Sequence, residues 1–139
     1  MLSALIGIHS FLVWIVLLAG AVTLVCGIVL LVMRRGVADD ETPPNPNAPM
    51  VKTLFQRLLI ATAAIGALEA LVGGLLFFSG ARPGDQLHLV YGGIVLLIIP
   101  IAYVYSDQKR TRRDIIIMVV AAVLLIGAGV RALMTGAPM

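Results

Sequence analysis

The sequence predicts an all-α integral membrane protein: an antiparallel four-helix transmembrane bundle of two hairpins, with both termini outside. Three observations predict it. Apolar runs at about residues 5–33, 58–79, 87–105 and 115–134 each approach or exceed the ~20 residues that carry a helix across ~30 Å of hydrocarbon. Composition agrees, since 60% of residues are hydrophobic, 12% are charged and mean hydropathy is +1.07, against ~45–50% apolar and ~25% charged in soluble domains. Charge supplies the orientation. Of the ten Lys and Arg residues, Arg34, Arg35, Lys52, Arg57, Lys109, Arg110, Arg112 and Arg113 lie in segments 34–57 and 106–114, and short basic segments between spans stay cytoplasmic. The chain is therefore read as a single transmembrane domain, residues 1–139, multi-pass in a bacterial inner membrane.

The first run follows Met1-Leu2-Ser3-Ala4, which has no charged side chain. It is nearly twice the length of a signal-peptide apolar core, so it reads as a retained helix. Cys26 is the only cysteine, which excludes an internal disulfide, C-x-x-C-H haem attachment and a cysteine zinc cluster; it reads as a small core residue. Between the first and second helices, segment 36–56 carries Asp39-Asp40-Glu41 and then Pro43, Pro44, Pro46 and Pro49. Such a stretch cannot bury a core and reads as a flexible cytoplasmic linker. The net charge of +3 suits topology and anionic headgroups, with no nucleic acid partner.

The second helix presents small residues at Ala63, Gly66, Ala67, Ala70, Gly73 and Gly74, a surface on which helix backbones approach closely in lipid. The third contributes Gly92 and Gly93 above Pro100, which should kink it, and the fourth Ala121, Ala122, Gly127, Ala128 and Gly129. A compact bundle follows. A short internal repeat supports two parallel hairpins: His9 opens the first helix and His88 the third, while Phe78-Ser79-Gly80-Ala81 and Met134-Thr135-Gly136-Ala137 close the second and fourth. Phe11, Trp14, Tyr103 and Tyr105 fit aromatic belts at the headgroup level.

Few residues can carry chemistry. His9 and His88 lie near the outer ends of two helices that run in the same direction. If those helices face each other across the bundle, the imidazoles converge as possible ligands of one b-type haem. Gly92 would leave room for the macrocycle, and Arg82 and Arg131 would be propionate partners. Ordinary polar packing accounts better for two histidines at an interface, since no tight H-x-n-H spacing binds them together. Glu69 sits near the middle of its span, where an unpaired carboxylate costs at least ~2.5–3.5 kcal/mol. With Gly66 and Gly73 one turn away, it is expected to face a closely packed helix, as a structural acid or a subunit contact. Arg131 is expected to snorkel outward rather than reach Glu69. No Walker loop, H-E-x-x-H or G-x-S-x-G motif occurs, and no enzymatic activity is expected.

His88-Leu89-Val90-Tyr91-Gly92, Pro100-Ile101-Ala102-Tyr103, the basic loop and the closing Arg131 with Thr135-Gly136 resemble a group of small bacterial four-helix membrane proteins over residues 86–139. The plan is also similar to the four-helix, two-haem b-type cytochromes. Those present two histidine pairs and this chain has one, which argues against a two-haem electron path. The reading that follows is a non-catalytic accessory subunit of a larger bacterial membrane complex, of the respiratory or photosynthetic electron-transfer kind, with no cofactor of its own. Its partners would be other integral-membrane subunits and lipids. The alternatives are an electron-transfer subunit holding one haem b through His9 and His88, and a small transporter or channel, for which Glu69 would need polar company.

Overall fold

A computed structural model describes residues 2–38, 41, 45–106 and 111–136. Four helices make up the fold: α1 (Leu2–Met33), α2 (Ala48–Phe78), α3 (Leu87–Tyr105) and α4 (Arg112–Gly136). All four are long and apolar enough to cross a membrane. Contacts run between α1 and α2, α2 and α3, α3 and α4, and α4 and α1. The helices thus form a closed ring in which α1 and α3 are diagonal partners, and the α2–α3 seam is the thinnest. The start of α1 and the end of α4 lie at one end of the bundle, because residues early in α1 and α3 meet residues late in α2 and α4.

The second helix begins ten residues before the apolar run from Leu58, so the segment read as a flexible linker over 36–56 is helical from Ala48. The reason is local. Asn45 Oδ1 accepts the Asn47 N–H at 2.9 Å, and Pro49 occupies the first turn, where its missing N–H would have had no helical partner. A proline that signals irregular chain by composition is here a helix start. Of the acidic, proline-rich centre, Asp39, Asp40, Thr42, Pro43 and Pro44 lie outside the described residues, as do Lys109, Arg110 and Ala137.

Helix α4 likewise starts earlier than its apolar run. Thr111 Oγ1 accepts the Asp114 N–H at 3.3 Å and the Asp114 carboxylate accepts the Thr111 N–H at 3.0 Å, a reciprocal cap that satisfies two amides otherwise left without acceptors. Helix α2 ends where Gly80 adopts φ +94°, a left-handed conformation open to glycine without a Cβ penalty. The Gly80 and Ala81 amides then return to the carbonyls of Phe77 and Leu76, which closes the last turn. Helix α3 continues unbroken through Pro100.

Most of the core lies in the middle and basic end of the bundle, around Leu30, Phe55, Leu59, Ile99, Met118 and Leu125; a smaller cluster of Leu12, Val72 and Leu76 sits toward the termini. Backbone proximity is concentrated on α1 and α4. A Cβ on Gly20 would come 2.8 Å from Leu125, one on Gly129 2.8 Å from Leu17, and one on Gly27 2.6 Å from Val119. By contrast Gly74, Gly92, Gly93 and Gly127 face open space. The small-residue surface of α2 therefore divides: Gly66 packs on the Val95 carbonyl of α3 and Gly73 on His9 of α1, while Ala67 is exposed and Gly74 is open.

Candidate functional site

Three polar side chains meet toward the end of the bundle that holds the start of α1 and the end of α4. Helix α1 brings His9 inward, α2 brings Glu69, and α3 brings His88 from the diagonal position. His9 Nδ1 lies 3.1 Å from Glu69 Oε1, with the two side chains 20% and 10% exposed. The His9 and His88 rings are 5.9 Å apart between centroids, with planes at 77°. Glycines make room for both rings. A Cβ on Gly73 would come 3.1 Å from His9 Cε1, and one on Gly136 2.9 Å from His88 Cε1. Each hairpin thus seats its histidine on a glycine of its own second helix, as expected of two similar units.

The second nitrogens are set differently. His88 Nδ1 lies 2.9 Å from the Ala132 carbonyl; a carbonyl only accepts, so Nδ1 carries the proton and the lone pair of the neutral ring is on Nε2. At His9 the carboxylate is close but not aligned. Neither His9 Nδ1 nor Glu69 Oε2 has a hydrogen-bond partner although both are buried, and such atoms are uncommon in a settled fold. A second interhelical polar contact lies about two turns deeper along α2. There Thr23 and Thr62, both fully buried, share a hydrogen bond of 2.9 Å. Cys26 is buried, with its thiol 3.7 Å from the Val51 carbonyl.

The two arginines read as propionate partners have other contacts. Arg82 Nη1 donates to the Phe77 carbonyl at 2.7 Å and its guanidinium lies over the Phe77 ring at 4.3 Å, so it closes the end of α2. Arg131 is exposed and lies 5.7 Å from the Tyr91 ring centre. Its ring contact is thus with α3 and not with Glu69 on α2. The α2–α3 connection is tied across the bundle end by a 3.1 Å hydrogen bond from the Asp85 amide to the Thr135 carbonyl. Among the described residues no group of three or more His, Cys, Asp or Glu is gathered to hold a metal ion.

The pairing of His9 with Glu69 was missing from the sequence reading, which treated the two separately. They are sixty positions apart, and only the rotational setting of α1 against α2 joins them. The convergence of His9 with His88 depended on α1 and α3 being diagonal, and they are. Fold and site together define a bundle of four helices, each long and apolar enough to cross a membrane, with an internal His–Glu–His cluster among the described residues. No known protein family, characterised protein or solved structure matches the chain.

Proposed function

We propose that the chain is a non-catalytic subunit of a larger integral-membrane assembly, with α3 as its docking helix. The observation that carries this reading is the open pair Gly92 and Gly93, which have nothing within 4 Å of where a Cβ would stand. Glycine in a helix interior costs about 0.8–1.0 kcal/mol relative to alanine, and none of the described residues uses the space. A neighbouring membrane helix would, because close backbone approach is how helices associate in lipid. Helix α3 is also the least enclosed of the four, with only Val95, Ile99 and Ala102 buried.

In this reading the basic end, with Arg34, Arg35, Arg57, Arg112 and Arg113, faces the cytoplasm, and both termini lie on the opposite side. The partners are other integral-membrane subunits, and an electron-transfer assembly is the class proposed. The test is purification of the tagged chain from its native membrane in mild detergent, with mass spectrometry of what accompanies it. Stoichiometric membrane subunits that are lost in Gly92→Leu or Gly93→Leu, with helicity and monomer size unchanged, are the expected result. A solitary chain in the native extract overturns the reading.

A further inference from the structure

We propose that the groove between α2 and α3 at the basic end of the bundle binds one anionic phospholipid, its phosphate at Lys52 and an acyl chain laid toward Ala63. The proposal rests on the helices lying in a bilayer and is independent of the docking role given to Gly92 and Gly93.

Shape comes first. The α2–α3 seam is closed at Gly66, where a Cβ would come 3.3 Å from the Val95 carbonyl. One turn nearer the basic end, from Ala63 onward, the helices leave a cavity of about 480 Å³, within the ~300–1,000 Å³ of ordinary ligand sites. Leu59, Ile99 and Met118 form its buried floor, while its lips, Ile60 and Val104, are exposed. The groove therefore opens sideways, as entry from a bilayer requires. From Lys52 to Ala63 it follows about three turns of α2, roughly 16 Å at 1.5 Å per residue.

Polarity along the groove is graded. Apolar side chains line the part toward Gly66, and Lys52, Gln56, Tyr103, Ser106 and Asp114 line the part toward the basic end. Gln56 and Tyr103 bring N–H and O–H donors suited to ester carbonyls. A groove between α1 and α2 supplies the contrast. It is of similar size, about 430 Å³, but its lining is Ala, Val, Cys and Leu side chains. Such a surface accepts any acyl chain and selects no headgroup.

Charge then selects the headgroup. Segments 34–57 and 106–114 hold eight Lys and Arg against five Asp and Glu, an excess of positive charge at this end. Basic pockets between membrane helices are where anionic headgroups bind, and Lys52 places an ammonium on the groove itself. Asp114 also lines the mouth, but its Oδ2 accepts the Thr111 amide at 3.0 Å, which draws that carboxylate into the cap of α4.

The test uses the full-length chain, stripped of lipid in detergent and titrated under native mass spectrometry with phosphatidylglycerol and, in a separate arm, phosphatidylcholine of the same acyl chains. The expected result is one phosphatidylglycerol retained per chain, favoured by about 5-fold or more, the factor that one basic side chain near an anionic headgroup supplies. Lys52→Ala removes about that factor, Lys52→Arg keeps it, and helicity by circular dichroism is unchanged in both. Ala63→Leu, which fills the apolar part, weakens retention of both lipids. A photoactivatable acyl chain leaves its adducts on residues 60–63 and 99–104 and not on Val25 or Leu54 of the other groove. Equal retention of the two lipids, a preference that survives Lys52→Ala, or adducts spread over both grooves overturns the proposal. So does displacement of the lipid by glycerol phosphate, by an isoprenoid quinone or by a second copy of the chain. Gly92→Leu leaves lipid retention unchanged, so the docking reading and this one fail separately.

Discussion

Among the described residues two contacts between polar side chains join α1 to α2, and they differ in completeness. Thr23 and Thr62 are fully buried and each hydroxyl has the other as partner. His9 and Glu69 are close, yet a ring nitrogen and a carboxylate oxygen are left without hydrogen bonds. The threonine pair is a closed structural contact, since a hydroxyl can both donate and accept. The histidine–glutamate pair keeps unused capacity in an environment where that capacity is expensive. The threonine contact is therefore complete within the bundle, whereas the histidine–glutamate contact leaves buried polar atoms unpaired.

The largest change expected from breaking this contrast is His9→Ala. It leaves the buried Glu69 carboxyl without its polar neighbour, which costs up to about 3 kcal/mol, read as a lower midpoint in denaturant-driven unfolding in nanodiscs. The double variant His9→Ala/Glu69→Gln should recover most of that loss. An equally low midpoint in the double variant would mean that His9 acts by packing and not by charge.

Next is Gly27→Ala on α1, whose new methyl would come 2.6 Å from Val119 Cγ2 and 2.8 Å from Phe55 Cε2. Overpacking of this kind costs about 1–3 kcal/mol, and the same assay should report it without affecting either polar contact. Thr23→Val is expected to cost less, about 0.6 and at most ~1.7 kcal/mol. Thr23→Val/Thr62→Val should be closer to wild type than either single variant, because removing both partners leaves no unpaired hydroxyl. Non-additivity in that cycle is the mark of a closed contact. Gly92→Ala should have the smallest effect on the isolated chain: unchanged stability, or a gain of up to about 1 kcal/mol from helix propensity.

How far the sequence revealed this molecule depended on the kind of signal. The spans of α1 and α3 are legible because lipid demands continuous apolar runs. The starts of α2 and α4 were missed because their signals are local chemistry, Pro49 in a first turn and the Thr111–Asp114 cap, hidden inside segments whose composition reads as loop. Inward faces are hardest to see. In water an apolar stripe marks the buried side of a helix, but a lipid-facing residue is as apolar as a core residue. Exposed Phe11, Trp14 and Leu18 thus look in sequence like buried Leu12, Val13 and Val16. Only sparse polar side chains break that symmetry, so Glu69 could be expected to face a neighbour, while its partner His9 could not be chosen from sequence alone. The glycines show the same limit, since Gly73 and Gly74 are adjacent and only one is packed.

Helix length has a consequence for the surrounding bilayer. Helix α3 has 19 residues and α1 has 32, about 28 Å and 48 Å at 1.5 Å per residue. A hydrocarbon core of ~30 Å matches the first and is well exceeded by the second. Long helices accommodate excess length by leaning or protruding, at a cost of fractions of a kcal/mol per Å. A short one has no such freedom. In a membrane thickened by sterol or long acyl chains, α3 would draw the polar groups at its two ends, near Asp85 and Ser106, toward the hydrocarbon. In a bilayer, the shortest helix, and not the average of the four, would be the gauge of membrane thickness and would favour a thin one.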